Sequence, residues 1–246
     1  MTDPAMNCWG ILPAAGSGSR FGAEVPKQYL PVNGRPVISW SIETLLAAPL
    51  EALIVALGPG DTHSLGPGDT HWPALGWDGK PRIETCAGGA QRQQSVLNAL
   101  AALQGRAGEE DWILVHDAVR PCVRAEDIAR LIESTDSGGK DGGMLGWPVD
   151  NSLKRVASSM AVLDNVDRRE CWNAATPQMF RHGVLLAALR QAEEQGVSHT
   201  DESAAVMAAG GSVLMVSCAK DNIKITHEPD LALAGFILER QRENSP

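Results

Sequence analysis

The chain has 246 residues, enough for one α/β domain with a sizeable core, and its formal net charge of -9 argues against a nucleic-acid or membrane-surface partner, which would favour a basic face. Its five cysteines (Cys8, Cys86, Cys122, Cys171, Cys218) are scattered, odd in number and lack a C-x-x-C pair, so they read as reduced packing thiols. With no apolar run of membrane-spanning length and no signal-peptide pattern in Met-Thr-Asp-Pro-Ala, the expectation is a soluble, cytoplasmic protein.

The first predicted strand is the apolar run Cys8, Trp9, Ile11, Leu12, which opens into Pro13-Ala14-Ala15-Gly16-Ser17-Gly18-Ser19-Arg20. Small residues let a backbone come close to a polyanion and align its N–H groups as a nest. A loop at the carboxyl end of a first strand is where open α/β sheets bind nucleotides. Arg20, and Lys27 in Pro26-Lys27-Gln28-Tyr29-Leu30, add fixed positive charge at the same mouth. The loop lacks the G-x-x-x-x-G-K-[ST] of ATPases, and Gly16, Gly18 and Gly22 miss the dinucleotide spacing by one residue. A Gly-rich turn alone reads equally as a plain tight turn; Arg20 and the Pro26-Lys27-Gln28 block favour a triphosphate site.

A helix is predicted on the stripe Ile38, Ile42, Leu45, Leu46, followed by a buried strand Leu53-Ile54-Val55-Ala56-Leu57. Residues 57–64 (LGPGDTHS) are nearly repeated at 65–72 (LGPGDTHW). The pairs Asp61/His63 and Asp69/His71 suggest a metal site, but the Gly and Pro content and the short period favour a duplicated surface loop. After Ile83-Glu84-Thr85 the strand–glycine–helix theme recurs in Cys86-Ala87-Gly88-Gly89-Ala90-Gln91-Arg92-Gln93-Gln94-Ser95. There the glycines can bring amides to a base edge, ahead of a helix on Val96, Leu97, Leu100 and Leu103.

Trp112-Ile113-Leu114-Val115-His116 is the strongest strand and sets Asp117 at its carboxyl end, facing the first loop. A lone carboxylate there suits Mg²⁺, which takes one or two protein carboxylates and fills its remaining positions with water and phosphate oxygens. A third helix carries Ile128, Leu131 and Ile132, and a weaker strand runs from Met144 to Val149. Residues 150–168 read as a β-arm turning at Ala157-Ser158-Ser159; a two-stranded arm must pack on something, and a partner subunit is expected. A fourth helix (Val184, Leu185, Ala188, Leu189, Ala192), a strand at Val213 to Val216 and a last helix with Pro229 in its first turn complete the chain. Thr176-Pro177-Gln178, Thr200-Asp201-Glu202-Ser203 and Asp221-Asn222-Ile223-Lys224-Ile225-Thr226 read as polar clusters at element boundaries, with Thr200 and Thr226 as N-caps. This alternation predicts a single α/β domain over 1–246: a Rossmann-like, mostly parallel, doubly wound sheet with a protruding β-arm.

The ordered set PAAGSGSR, PKQYL, GGAQRQQS, HDAVRP, ATPQ, TDES and DNIKIT resembles the 2-C-methyl-D-erythritol 4-phosphate cytidylyltransferases of the non-mevalonate isoprenoid pathway, over about residues 8 to 240. The resemblance implies a nucleotidyltransferase that joins CTP to methylerythritol phosphate and releases pyrophosphate. It places the nucleotide on Ala14, Ala15, Gly16, Gly18, Gly89, Ser95 and Arg120, and Mg²⁺ on Asp117. Arg20, Lys27 and Lys224 would be the catalytic cations. It further implies a homodimer whose arm carries Ser152 and Arg168 into the partner's site, beside Thr176 and Thr200. Asp150-Asn151-Ser152 stands where Arg-Asp-Thr is common, Ala90 stands where the family has an acidic residue, and Val119 is a spelling shared with ribitol phosphate cytidylyltransferases. A ribitol 5-phosphate enzyme and a non-catalytic nucleotide-binding regulator are the alternatives.

Overall fold

The computed structural model describes residues 7–16, 25–58, 72, 75–77, 79–80 and 82–243. In chain order its elements are β1 (Cys8–Pro13), β2 (Pro31–Val32), β3 (Arg35–Pro36), α1 (Val37–Leu46), β4 (Leu53–Leu57), β5 (Ile83–Ala87), α2 (Arg92–Ala102), β6 (Trp112–Val115), α3 (Ala125–Ser137), β7 (Gly142–Pro148), β8 (Leu153–Val156), β9 (Val162–Val166), β10 (Trp172–Arg181), α4 (His182–Glu194), α5 (Glu202–Ala208), β11 (Val213–Ser217) and α6 (Pro229–Glu243). Seven strands form one sheet in the order β11-β7-β10-β6-β1-β4-β5. All its neighbours pair in parallel except β10, which runs antiparallel to both β6 and β7.

Successive side chains of a strand point to opposite faces, so each central strand feeds two cores. On one face Leu12, Leu53, Val55 and Leu114 meet Ile38, Ile42 and Leu45 of α1 and Ile128 and Leu131 of α3. On the other, Ile11, Ile54, Ile113 and Val115 meet Val96 and Leu100 of α2, Leu185 and Leu189 of α4, and Val206 of α5. A third cluster seats α6 through Ala234 and Leu238 on Val32, Val37, Trp40, Val119 and Ile225. Among the described residues no helix is long and apolar enough to cross a membrane.

Three local expectations are corrected. Thr176-Pro177-Gln178 is no boundary but the middle of β10: a proline reads as a strand breaker, yet a cis Thr176–Pro177 bond and a register shift between Ala174 and Gln178 accommodate it. Thr200 does not cap α5; the carboxylate of Asp201 accepts from Ala204 N at 2.9 Å and Ser203 Oγ at 2.7 Å. Nor does Thr226 cap α6, because Asp230 Oδ2 accepts from the amides of Thr226 at 2.8 Å and His227 at 2.7 Å. In both cases a nearby carboxylate, favoured at the positive end of a helix, displaces the hydroxyl. The arm forms as expected, a separate two-stranded sheet of β8 and β9. Val156, Met160, Val162 and Leu163 stand exposed on it.

Candidate active site

Three loops at the carboxyl ends of β1, β5 and β6 converge, as the sheet order β6-β1-β4-β5 requires of parallel neighbours. In the first, buried Gln28 donates through Nε2 to the carbonyls of Ala14 at 2.7 Å and Gly16 at 3.1 Å. An anion beside those residues therefore meets carbonyls already engaged rather than open ones. In the second, Gly88 abuts the first loop so closely that a Cβ would lie 2.3 Å from Ala15 Cβ and 2.9 Å from the Leu57 carbonyl. The Gly89 amide donates to Ser95 Oγ at 3.0 Å, which fixes the glycine turn to the first turn of α2.

The third loop holds the charge. Asp117 is buried, and its Oδ1 lies 2.8 Å from Arg92 Nε. Its Oδ2 lies 2.8 Å from Lys224 Nζ and 3.6 Å from Arg120 Nε. Arg92 in turn pairs with buried Glu202, Nη1 to Oε1 at 2.6 Å. Burial pushes the Asp117 carboxyl up, but Arg92, Lys224 and Arg120 outweigh it and hold the group well below the usual carboxylate range. Three cations against two carboxylates leave one net positive charge, and Lys27 stands close by, donating to the Ile225 carbonyl at 3.0 Å next to Lys224. In a chain of net charge -9 this local excess of positive charge favours an anion at these loops.

His116 supports Asp117 from beneath. Its Nε2 faces the Arg120 carbonyl at 3.2 Å, and a carbonyl only accepts, so Nε2 carries the proton. Nδ1 therefore accepts from Thr176 Oγ1 at 3.0 Å, and the same hydroxyl oxygen accepts from the Asp117 amide at 3.0 Å. Complete burial lowers the His116 pKa to about 4, keeping the ring neutral. Unfolded, the same ring titrates near 6.5, so between about pH 4 and 6.5 the unfolded chain binds the extra proton. Stability is therefore full above pH 6.5 and falls by about 3 kcal/mol as pH drops toward 4. The Asp117 contribution is lost only below its own unfolded value near 3.8. A melting-temperature profile that declines over this window in the natural protein, and flattens in His116→Gln, is the expected result.

The sequence model of the family described as "2-C-methyl-D-erythritol 4-phosphate cytidylyltransferase" matches residues 8–240. The chain belongs to that family. A relative of that name from Hahella chejuensis is 45% identical over 236 residues, 94% of this chain and 93% of that protein. Another, from Halorhodospira halophila, is 46% identical over 242 residues, 95% of each chain. The crystal structure of the Francisella tularensis 2-C-methyl-D-erythritol 4-phosphate cytidylyltransferase superposes with a TM-score of 0.77 at 32% identity, over 94% of this chain and 99% of that one.

Of the residues expected in a cytidylyltransferase site, Ala14, Ala15, Gly89 and Ser95 lie where the first two loops meet, with Gly16 at the edge of the described segment. Gly18 and Arg20 lie outside the described residues, as does most of the duplicated loop. Lys27, Lys224 and Asp117 are brought together. Arg120 is buried; beside its 3.6 Å ion pair with Asp117 it donates to the carbonyls of Asn222 at 2.7 Å and Ala174 at 3.3 Å, so these contacts brace it under Asp117. Thr176 is buried too, and its only hydroxyl proton goes to His116, leaving none for a phosphate. Thr200 is exposed two residues before Glu202, while Ser152 and Arg168 sit exposed at the arm's root, where Arg168 donates to the Asp150 carbonyl. Asp150 is met by Lys220, Nζ to Oδ2 at 2.5 Å.

Sequence reading missed Arg92, Glu202 and Gln28 as site residues. Arg92 and Gln28 lie inside recognised motifs, but what identifies Arg92 is its pairing with Glu202, 110 positions away. Gly88 gives a direct test. Gly88→Ala must push Ala15 away or move the Leu57 carbonyl, at a cost of about 1–3 kcal/mol. The expected outcome is a folded enzyme with KM for CTP raised about tenfold or more, checked by steady-state kinetics beside a melting curve.

Proposed function

We propose that the chain transfers the cytidylyl group of CTP to the phosphate of 2-C-methyl-D-erythritol 4-phosphate. An oxygen of the acceptor phosphate attacks the α-phosphorus; the new O–P bond forms as the bond to the bridging oxygen of the β-phosphate breaks, and pyrophosphate leaves with that electron pair. The attacking group is already an anion, so the reaction needs no general base. Its difficulty is bringing anions together and stabilising a crowded, highly charged transition state, which positioned cations accomplish. The observation that carries this reading is the net-positive Asp117–Arg92–Arg120–Lys224 cluster set against the small-residue loop at Ala14 to Gly16.

In this reading the loops around Ala14, Ala15, Gly16, Gly18, Gly89 and Ser95 receive the nucleotide. Arg20, Lys27 and Lys224 neutralise charge on the α-phosphate and the departing pyrophosphate. Among the described residues no three His, Cys, Asp or Glu side chains gather into an all-protein metal cage. A site that uses a single protein carboxylate fits better: Asp117 stays ionised and would hold a Mg²⁺ beside the nucleotide. When bound, the ion would screen the phosphate charges.

The arm, with Ser152 and Arg168 at its root, is proposed to pair two copies of the chain, supported by the exposed Val156, Met160, Val162 and Leu163. A cytoplasmic location fits the five free cysteines, three of them buried. Pyrophosphate release from CTP and Mg²⁺ in the presence of methylerythritol 4-phosphate tests the activity. Release with ribitol 5-phosphate alone would move the chain to that acceptor, and CTP binding without release would make it a regulator.

A further inference from the structure

Lys224 sits in residues 218–228, a stretch without helix or strand between β11 and α6. Such a stretch has no ladder of its own to hold an ammonium in place, so its anchors decide where Lys224 points. On one side, Asn222 is fully buried; its Nδ2 donates to the Thr176 carbonyl at 2.9 Å, and its backbone carbonyl accepts from Arg120 Nη1 at 2.7 Å. On the other side, buried Ile225 donates its amide to the Val119 carbonyl at 2.9 Å. Lys224 is held between these two anchors.

The far end of the Asn222 contact is specific. Thr176 receives Asn222 on its carbonyl and, through its hydroxyl, accepts the amide of Asp117. One residue of the β10 bulge therefore references both members of the Lys224–Asp117 pair. Asn222 also has a cost, since among the described residues its buried Oδ1 meets no N–H or O–H donor. Burying an unpaired acceptor is unfavourable, and simple filling of the space would favour an apolar side chain. We propose that Asn222 is a positioning residue, which sets the Lys224 ammonium against Asp117 and so against the reacting phosphates. The inference rests on the reading of Lys224 as a catalytic cation.

A double-mutant cycle tests it, using Asn222→Ala, Lys224→Ala and both together, with kcat and KM for CTP measured beside melting curves. If Asn222 acts through Lys224, Asn222→Ala lowers kcat about tenfold while KM for CTP changes less than about twofold, and the double variant is no slower than Lys224→Ala. A purely structural role would lower the melting temperature and leave kcat of the folded fraction near normal, which overturns the proposal. So would a double variant whose losses multiply. Near-normal turnover in Lys224→Ala would instead sink the reading of Lys224 itself, and this inference with it. Should Asn222→Ala not fold, Asn222→Ser, whose hydroxyl is too short to span to Thr176, runs the same cycle.

Discussion

Lys27→Ala is expected to fold normally and turn over about a hundredfold more slowly, a loss of roughly 3 kcal/mol in transition-state stabilisation. Lys27 lies in the turn Lys27–Tyr29 that closes the first loop, and its ammonium is 3.0 Å from the Ile225 carbonyl, beside Lys224. The lysine is thus tied to the segment that carries Lys224. The ground state gains little from a side chain that is only partly buried, so the melting temperature should move by no more than about 2–4 °C. The charge on the departing pyrophosphate grows only as the bond breaks, so the loss falls on kcat more than on KM. Single-turnover pyrophosphate release measures this, and near-normal turnover would remove Lys27 from the mechanism.

Asp117→Asn should do the reverse to binding and worse to chemistry. The substitution is nearly isosteric but removes a negative charge, so the surrounding cluster goes from one net positive charge to two. Without added Mg²⁺, affinity for the CTP polyanion is expected to hold or rise. Lys224 loses the partner 2.8 Å away that fixes it, and buried Arg120 loses the carboxylate 3.6 Å away. Leaving a buried cation without its counter-charge typically costs about 3–5 kcal/mol, partly offset here because Arg120 keeps its two carbonyl acceptors. The variant should therefore melt several degrees lower, bind metal-free CTP at least as tightly by calorimetry, and with Mg²⁺ release pyrophosphate more than a hundredfold more slowly. Weakened CTP binding with intact turnover would assign Asp117 to ground-state binding alone.

Most of the architecture was legible because it is written in short-range periodicity. The stripes at Ile38, Ile42 and Leu45 or at Leu185, Ala188 and Leu189 need only local spacing to announce a helix, and each became one. The runs at Leu53–Leu57 and Trp112–Val115 likewise became central strands. The antiparallel β10 escaped because its signal is interrupted where it matters, at Thr176–Pro177. Proline costs a strand a donor, and only the paired strands on either side make the interruption tolerable.

The site divides in the same way. Sequence by itself determined the strand-end placement of the glycine loop and Asp117, the presence of Lys27 and Lys224, and the nucleotidyltransferase family to which those motifs belong. Only the tertiary structure decided that Asp117 is shared among Arg92, Arg120 and Lys224, that Arg120 and Thr176 face inward as supports, and that Glu202 anchors Arg92. The reason is one of range. A helix or strand is selected by neighbours a few positions apart. The partners of this cluster are separated by 25 positions for Arg92 and Asp117, 110 for Arg92 and Glu202, and 198 for Lys27 and Ile225. Their contacts exist only once the sheet has set its strand ends side by side.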